Sequence, residues 1–422
     1  MKVGAWWLAV AAAVAALQNP APAPASAWVI LIGGDTQGYL SPCGCTKPMS
    51  GGVRRRAALT KSLSVEGKTL VLELGPFIDE PDRQGELKSD AIAQIWRNMG
   101  VDAALLTGQD AALGVPQLDA LQRLSGGRLF TSAAIPQGNV GWNAFAEDGP
   151  FRVAGWSGDA AAWASRLEAE PAVEAAVLQQ LLDDAEAADQ MPILMLDGDE
   201  ASARGFAERY PALRLIVFRD PNRATREPIV VGRTWLVSPG PKGKELIQIR
   251  ASRDTLSGYT VFDLGPEIED DETAHRLYHE YLDRVREEQL LARIPRRPPQ
   301  GFAGNQACMS CHPKAYEVWK NSEHGHALAT LEEDNHDADP ECVGCHVVGL
   351  DAEDGFRSRD RTPQMTDVGC ESCHGPAKAH VDNPRTPLPT VTEDDCRTCH
   401  TPEQSPPFAW ETYWPPIAHG RE

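Results

Sequence analysis

Cysteine and histidine are the residues of this 422-residue chain that could do redox or metal chemistry, and they are unevenly distributed. The chain has 10 Cys and 11 His, and every His lies at position 275 or later. Eight of the cysteines form four copies of Cys-x-x-Cys-His, which run from Cys308, Cys342, Cys370 and Cys396. The C-terminal part can therefore bind metals or haem through imidazole, whereas the part before position 275 cannot.

Each copy matches the attachment signature of c-type haem, in which two thiols add across the haem vinyl groups and the next His binds the iron. Zinc sites do not require a His after every second Cys, and a disulfide would leave that His unexplained. The sequence therefore predicts four covalently attached haem c groups. The predicted attachment residues are Cys308, Cys311, Cys342, Cys345, Cys370, Cys373, Cys396 and Cys399, and the predicted iron ligands are His312, His346, His374 and His400.

The second axial ligand decides what such a haem can do. Two imidazoles on one iron give a closed site that only transfers electrons, whereas an open position can bind a small molecule. The histidines outside the motifs are His275, His279, His324, His326, His336, His380 and His419. His275 and His279 lie one helical turn apart in a charged stretch, so we expect them on a solvated surface.

The segments before the motifs alternate between apolar strand patterns and amphipathic helix patterns, which predicts an α/β domain. The predicted strands are 28–34, 69–75, 102–108, 192–198, 213–218, 227–240 and 245–252, and the predicted helices include 51–63, 86–99 and 171–188. We expect this domain at 28–267, followed at 268–301 by a long charged helix and a Pro-rich linker, since Pro cannot continue a helix.

Residues 302–422 are poor in strand patterns and rich in Pro, Gly, Asp and His. About 30 residues per haem are too few for an independent apolar core, so we expect a domain of short helices and loops wrapped around the haems.

The first 27 residues have the layout of a secretory signal peptide: Lys2, an apolar run to Leu17, and a small-residue end at Ala25-Ser26-Ala27. The apolar run is shorter than the roughly 20 residues that span a bilayer, and no later segment is long and apolar enough. We expect a periplasmic or otherwise exported protein without a transmembrane segment after cleavage. The net charge of −20 argues against a nucleic-acid partner.

The segments around the motifs resemble a known family. AYEVWKNSEHGHALATL (315–331), CVGCHVVG (342–349), DVGCESCHGPAKAH (367–380) and YWPPIAHG (413–420) are similar to the tetrahaem cytochrome c that accepts electrons from hydroxylamine oxidoreductase. The resemblance implies that His324, His380 and His419 are distal ligands and that the haem on Cys342 and Cys345 has His346 alone. This chain adds His326 and His336, either of which could fill the open position.

The N-terminal part resembles the bacterial 5′-nucleotidase branch of the calcineurin-like metallophosphoesterases through 33–59, 71–77, 99–110 and 227–246. This implies a β-sandwich flanked by helices. The family's Asp-x-His is Asp35-Thr-Gln37 here, its Gly-Asp is Gly75-Pro76, and its Gly-Asn-His-Glu is 108–111. Its later His-containing segments fall near Asp197 and Arg219. A two-metal phosphoesterase needs imidazole and carboxylate ligands, so we expect a retained fold without hydrolysis and Asp35 in a structural role.

Two further features remain open. Cys43 and Cys45 could form a redox-active pair, a metal site, a strained disulfide or a structural loop. The run Arg54-Arg55-Arg56 could meet an anion at a helix start, but such a run is more typical of a solvated helix face, which we expect here.

These features predict an exported tetrahaem c-type cytochrome that carries electrons between redox partner proteins, with a hydrolytically inactive phosphoesterase-like domain. One alternative is a haem enzyme that acts on a small nitrogen compound at an open haem on His346. The other is a ligand- or partner-binding module with a haem relay.

Overall fold

The structure is a computed structural model that describes residues 28–41, 49–65, 67–130 and 145–420. The predicted signal peptide and the pair Cys43 and Cys45 lie outside the described residues. None of the helices in the described ranges is long and apolar enough to cross a membrane.

Twelve strands build the N-terminal part of the described chain. They are β1 (Trp28–Gly34), β2 (Thr69–Leu74), β3 (Ala103–Leu105), β4 (Leu129–Phe130), β5 (Phe145–Asp148), β6 (Phe151–Ser157), β7 (Met191–Asp197), β8 (Leu215–Val217), β9 (Ile229–Val231), β10 (Thr234–Val237), β11 (Glu245–Ala251) and β12 (Leu256–Asp263). The strands predicted from apolar runs are therefore confirmed, with 227–240 forming the hairpin β9–β10.

Six helices of this part lie between the strands in the chain, and two more, α7 and α8, follow the last strand. They are α1 (Val53–Leu63), α2 (Arg83–Met99), α3 (Gly114–Leu124), α4 (Ala160–Arg166), α5 (Glu174–Ala188), α6 (Glu200–Arg209), α7 (Glu272–Glu287) and α8 (Leu290–Arg293). The three helices predicted at 51–63, 86–99 and 171–188 correspond to α1, α2 and α5.

The strands form two mixed six-stranded sheets that pack face to face. The first has the order β12-β11-β1-β2-β3-β4, with β1 to β4 parallel; the second has the order β5-β6-β7-β8-β10-β9, with β6, β7, β8 and β10 parallel. Ile30 and Ile32 of β1 face Ile193 and Met195 of β7 in one buried apolar cluster between the sheets. This is the predicted β-sandwich.

Helices cover the outer face of each sheet. Leu31 of β1 belongs to a second cluster with Ile92 of α2, and Leu194 of β7 belongs to a third with Leu181 of α5. Because both faces of β1 and β7 are covered, these strands are continuously apolar rather than alternating.

Helix α7 is part of the core of this domain, although its charged sequence places it in the predicted linker region 268–301. Six of its side chains are buried: Ala274, Leu277, Tyr278, Tyr281, Leu282 and Val285. Their spacing of three and four residues puts them on one face, which packs against α2.

Residues 302–420 fold as short helices and loops, as predicted. The helices are α9 (Asn305–Met309), α10 (Pro313–Lys320), α11 (Ala327–Glu333), α12 (Pro340–His346), α13 (Cys370–His374), α14 (Lys378–Asp382), α15 (Glu393–Arg397) and α16 (Trp410–Tyr413). The apolar cluster of this part is small and centres on Leu328, Val343, Val348 and Phe356.

The packing of α7 gives a stability prediction. We expect Leu282→Ala to destabilise the protein by about 2–5 kcal/mol, because it removes a buried Leu side chain and leaves a cavity. Glu280→Ala on the exposed side of the same helix is the matched control, for which we expect a change within about 0.5 kcal/mol. Thermal unfolding followed by far-ultraviolet circular dichroism measures both, and equal effects would contradict the core role of α7.

Candidate functional site

The four Cys-x-x-Cys-His copies each begin on a short helix. They start in α9, α12, α13 and α15, so that the two cysteines of a copy are separated by about one helical turn. None of these eight cysteines is paired in a disulfide with another described cysteine, so each is available for a thioether bond.

Three imidazole pairs connect the motifs with histidines elsewhere in the C-terminal part. The ring centres are 6.1 Å apart in His312–His380, with nearly parallel rings. They are 6.1 Å apart in His324–His400 and 5.7 Å apart in His374–His419. Each pair thus joins the His of one motif to one of the three histidines that the resemblance implied as distal ligands.

These distances fit a metal ion between the two rings. Each metal–imidazole bond is about 2 Å long, so two rings that bind one ion from opposite sides have their centres about 6 Å apart. Burial lowers the pKa of His324, His374 and His400. Burial therefore favours the neutral form of these rings, which is the form that metal binding requires.

The remaining motif histidine, His346, has a different environment. Its Nδ1 lies 2.6 Å from the carbonyl oxygen of Ala327 at the start of α11. A backbone acceptor at Nδ1 fixes the orientation of a ligating ring and leaves Nε2 free for a metal. Within the described ranges His346 has no stacked or tilted imidazole partner of the kind found for the other three motif histidines.

The two additional histidines lie elsewhere. His336 shares a 2.6 Å hydrogen bond between its Nε2 and the Tyr278 hydroxyl of α7, and His326 is exposed at the end of the 3₁₀ turn Glu323–His326. Neither ring is stacked against His346. His275 and His279 lie on the exposed side of α7 with their Nε2 atoms 3.1 Å apart, where a solvated pair was expected.

Contacts between thiols place the four motifs in a spatial order that differs from their order in the chain. Cys308 and Cys370 are within hydrogen-bonding contact, and so are Cys345 and Cys399. Cys373 lies close enough to Cys396 for their charges to interact. The motifs are therefore adjacent in the order first, third, fourth, second, which their spacing in the sequence does not reveal.

Polar side chains fix the first and third motifs to one another. Asn305 at the start of α9 accepts a hydrogen bond from the Cys370 amide at 3.0 Å through its Oδ1. The buried carboxylate of Glu371 accepts from the amides of Ala303, Gly304 and Ala377. These contacts hold the loop before the first motif against the helix of the third.

The N-terminal domain has a second polar cluster at the carboxyl ends of its central strands. Asp35 follows β1, Asp197 ends β7, and Arg219 follows β8. The Arg219 guanidinium lies 3.5 Å from an Asp35 oxygen and 3.2 Å from an Asp197 oxygen. Burial raises the pKa of Asp35, whereas the nearby Arg219 charge opposes that rise.

Neighbouring groups add further hydrogen bonds to the two carboxylates of this cluster. Asp197 also accepts hydrogen bonds from the Gly108 amide at 3.0 Å and from the Ser157 hydroxyl at 2.9 Å. Gln37 donates to Asp35 at 2.9 Å. Across the described parts of the chain, no group of three or more His, Cys, Asp or Glu side chains is arranged to hold a metal ion. A fixed guanidinium charge thus lies where two carboxylates converge.

The arginine run of α1 is not on a solvated helix face, so that expectation was wrong. Arg55 and Arg56 are buried, and Arg56 forms an ion pair with the equally buried Glu73 of β2 at 3.1 Å. Arg56 also donates to the Thr36 hydroxyl at 2.7 Å, which supports the loop after β1. Burial raises the pKa of Glu73 to about 7 against the effect of Arg56.

Comparison with known proteins separates the two halves of the chain. The family model "Cytochrome c554 and c-prime" matches residues 307–375, which include the first three motifs but not the fourth. Cytochrome c-554 of Nitrosomonas europaea is 34% identical over an alignment of 92 residues, and the match covers 18% of this chain and 39% of that protein. The chain therefore spans well under half the length of this relative.

Solved structures resemble the larger part of the chain in fold. A sulfate thiohydrolase, SoxB, of Thermus thermophilus is 16% identical with a TM-score of 0.51 and covers 69% of each chain. A 5′-nucleotidase of Staphylococcus aureus is 13% identical with a TM-score of 0.51, over 74% of this chain and 66% of that one. These likenesses establish a calcineurin-like phosphoesterase fold for the N-terminal domain, as the sequence predicted.

The buried ion pair of the N-terminal domain gives a prediction. We expect Arg56→Met to destabilise the protein by about 3–5 kcal/mol, because it leaves the Glu73 carboxylate buried without its counter-charge. The double variant Arg56→Met, Glu73→Leu removes both charges and should recover much of that loss.

Thermal unfolding of the single and double variants measures these effects. A double variant no more stable than Arg56→Met would contradict the assignment of the loss to an unpaired buried charge.

Proposed function

We propose that this chain is an exported multihaem cytochrome that transfers electrons, with four haem c groups on its C-terminal domain and a hydrolytically inactive N-terminal domain. The observation that carries the proposal is the set of three imidazole pairs at 5.7–6.1 Å, each combining a motif His with a distant His. Haem bound there supplies reversible one-electron chemistry, and the protein tunes it through axial ligands, hydrogen bonds and burial.

The ring pairs support a specific ligand assignment. His312 and His380 would hold the haem on the first motif, His374 and His419 the haem on the third, and His400 and His324 the haem on the fourth. His346 would be the single imidazole on the second motif, where its bond to the Ala327 carbonyl orients the ring. The first, third and fourth sites are then closed to exogenous ligands.

The thiol contacts support a continuous path for electrons through the domain. Successive attachment points are neighbours in the order first, third, fourth, second, so no attachment site is isolated from the others. The first and second motifs are the two ends of this row.

Charge indicates the kind of redox partner. Residues 301–422 contain 9 Lys or Arg and 21 Asp or Glu, and haem propionates would add negative charge. We propose weak, salt-sensitive docking to basic faces of a donor and an acceptor protein, because complementary charge accelerates encounter more than it strengthens binding.

The environment of His346 favours a second candidate function. A site with one imidazole and a backbone-oriented ring has a free position for a small molecule such as nitric oxide. In this candidate the other three sites deliver electrons to, or accept them from, a reaction at the second motif.

Ligand variants test the haem assignment. We expect four haems by mass and one high-spin haem in the unaltered protein, and two high-spin haems in His324→Ala, because that change opens the fourth motif's site. His336→Ala is the control and should leave the spectrum unchanged, since His336 bonds Tyr278.

Electron paramagnetic resonance and carbon monoxide binding measure the number of open sites. A low-spin signal from all four haems, lost in His326→Ala or His336→Ala, would contradict the assignment of His346 as a single ligand.

The Arg219 cluster supports the loss of hydrolysis, since a fixed guanidinium stands between the two carboxylates. We expect no hydrolysis of nucleotides or p-nitrophenyl phosphate above background with added Mn²⁺, because a two-metal mechanism needs metals to activate water. A 5′-nucleotidase of the same fold serves as the positive control. Manganese-dependent hydrolysis that disappears in Asp35→Asn would overturn this part of the proposal.

A further inference from the structure

The helix that carries the second motif is capped by a residue that the N-terminal domain holds. Asp339 is the N-cap of α12, and its Oδ1 accepts a hydrogen bond from the Glu341 amide at 3.0 Å. The same Oδ1 accepts from Gln84 Nε2 of α2 at 2.7 Å, and Oδ2 accepts from the Tyr281 hydroxyl of α7 at 3.2 Å. Asp339 is only 6% exposed, so these donors replace the water that would otherwise solvate it.

The two donors are themselves rigidly placed. Gln84 lies in the first turn of α2, is 5% exposed and donates to the Tyr281 hydroxyl at 2.8 Å. Tyr281 is 3% exposed and belongs to the apolar cluster beneath the first sheet. A carboxylate buried with satisfied partners strongly favours one geometry, because any displacement leaves a buried charge without a donor.

A second contact, one helical turn further along α2, reinforces the hydrogen bond between Gln84 and Asp339. Lys88 forms an ion pair with Glu341 at 2.5 Å. Glu341 directly precedes Cys342, the first attachment cysteine of the second motif. Helix α2 of the N-terminal domain therefore contacts the start of α12 at two residues, Asp339 and Glu341.

The other motif helices are held differently in the described part of the chain. The third motif is fixed by Asn305 and Glu371 of the C-terminal domain. Helix α15 of the fourth motif is capped by Thr392 with Asp395 from its own first turn. The segment after this motif contacts the N-terminal domain through the partly exposed ion pair of Lys242 with Glu403. A buried cap shared between the domains is found at the second motif.

We propose that Gln84, Tyr281 and Lys88 are positioning residues for the second haem-binding motif, so that the N-terminal domain serves as a fixed support for α12 and His346. The inference rests on the proposed function in that it takes the second motif to bind haem. Asp339 fixes the start of α12, and the carbonyl of Ala327 fixes the His346 ring at its end. With a single imidazole at this site, ring orientation and the hydrogen bond at Nδ1 are the protein's main means of tuning it.

The test uses the full-length haem-loaded protein with Gln84→Ala, Tyr281→Phe and the double variant. We expect the high-spin signal and the reduction potential of one haem to shift, while the three low-spin signals stay unchanged. Hydrogen exchange at the amides of 341–346 should accelerate at least about 10-fold, because hydrogen bonds to a buried charge are lost.

Matched controls separate positioning from general destabilisation. Gln117→Ala removes a comparable Gln that donates to Asp90 at 2.9 Å within the N-terminal domain. Tyr259→Phe removes a comparable hydroxyl that donates to the Thr225 carbonyl at 2.7 Å. Neither control should alter any haem signal.

The outcomes are distinguishable. Unchanged second-site signals in the double variant, an equal shift of all four haems, or the same shift in the controls would overturn the inference. If the double variant does not fold with haem attached, the single variants Tyr281→Phe and Lys88→Gln test the inference by the same criteria. Absence of haem from Cys342 and Cys345 in the unaltered protein, measured by peptide mass, would instead refute the proposed function at that motif.

Discussion

The pairing of imidazoles from distant chain segments is the constraint around which the C-terminal domain is arranged. Its apolar cluster is small and its helices are only one or two turns long, and short helices are not stable by themselves. The pairs His312–His380, His324–His400 and His374–His419 each join chain segments that are remote in sequence. A group bound between each pair would therefore organise the domain as well as give it redox chemistry, in the way that metal binding and folding are coupled in other small metal-binding domains.

The N-terminal domain is stabilised on a different principle. Three apolar clusters lie between its sheets and on their outer faces, so its fold does not depend on a metal at the strand ends. This explains how the sandwich persists although Gln37 and Pro76 stand where the family has His and Asp. Arg219 supplies one positive charge between Asp35 and Asp197, since a nearby cation stabilises converging carboxylates.

Sequence patterns predicted the local features of this protein more accurately than they predicted which charged residues are buried. Continuous apolar runs located β1, β2 and β7 because both faces of these strands are covered. The Cys-x-x-Cys-His spacing identified the motifs because the two cysteines of a copy lie about one helical turn apart in a single short segment. The burial of Arg56 was missed because its partner Glu73 is on another element, and residue type alone predicts exposure for arginine.

At the domain junction, local sequence patterns likewise did not predict the environment of helix α7 or of His336. The charged residues of α7 suggested a linker helix, yet its periodic apolar face packs on α2. His336 was a candidate iron ligand by residue type, and only the fold shows that Tyr278 binds its Nε2. The ring pairing of the motif histidines and their spatial order were likewise set by long-range packing, which no local spacing records.

Polar contacts at the junction couple the position of α12 to the N-terminal domain. An apolar interface tolerates sliding, whereas directional hydrogen bonds to a buried carboxylate fix both distance and angle. Asp339 receives such bonds from Gln84 and Tyr281 while it caps α12. A change in the N-terminal domain that moved α2 relative to α7 would therefore be transmitted to the second motif, at one end of the row of attachment sites, before it reached the other three. If the second motif binds haem as we propose, the phosphoesterase-like domain acts on that site through geometry, and this role requires only the fold of the domain.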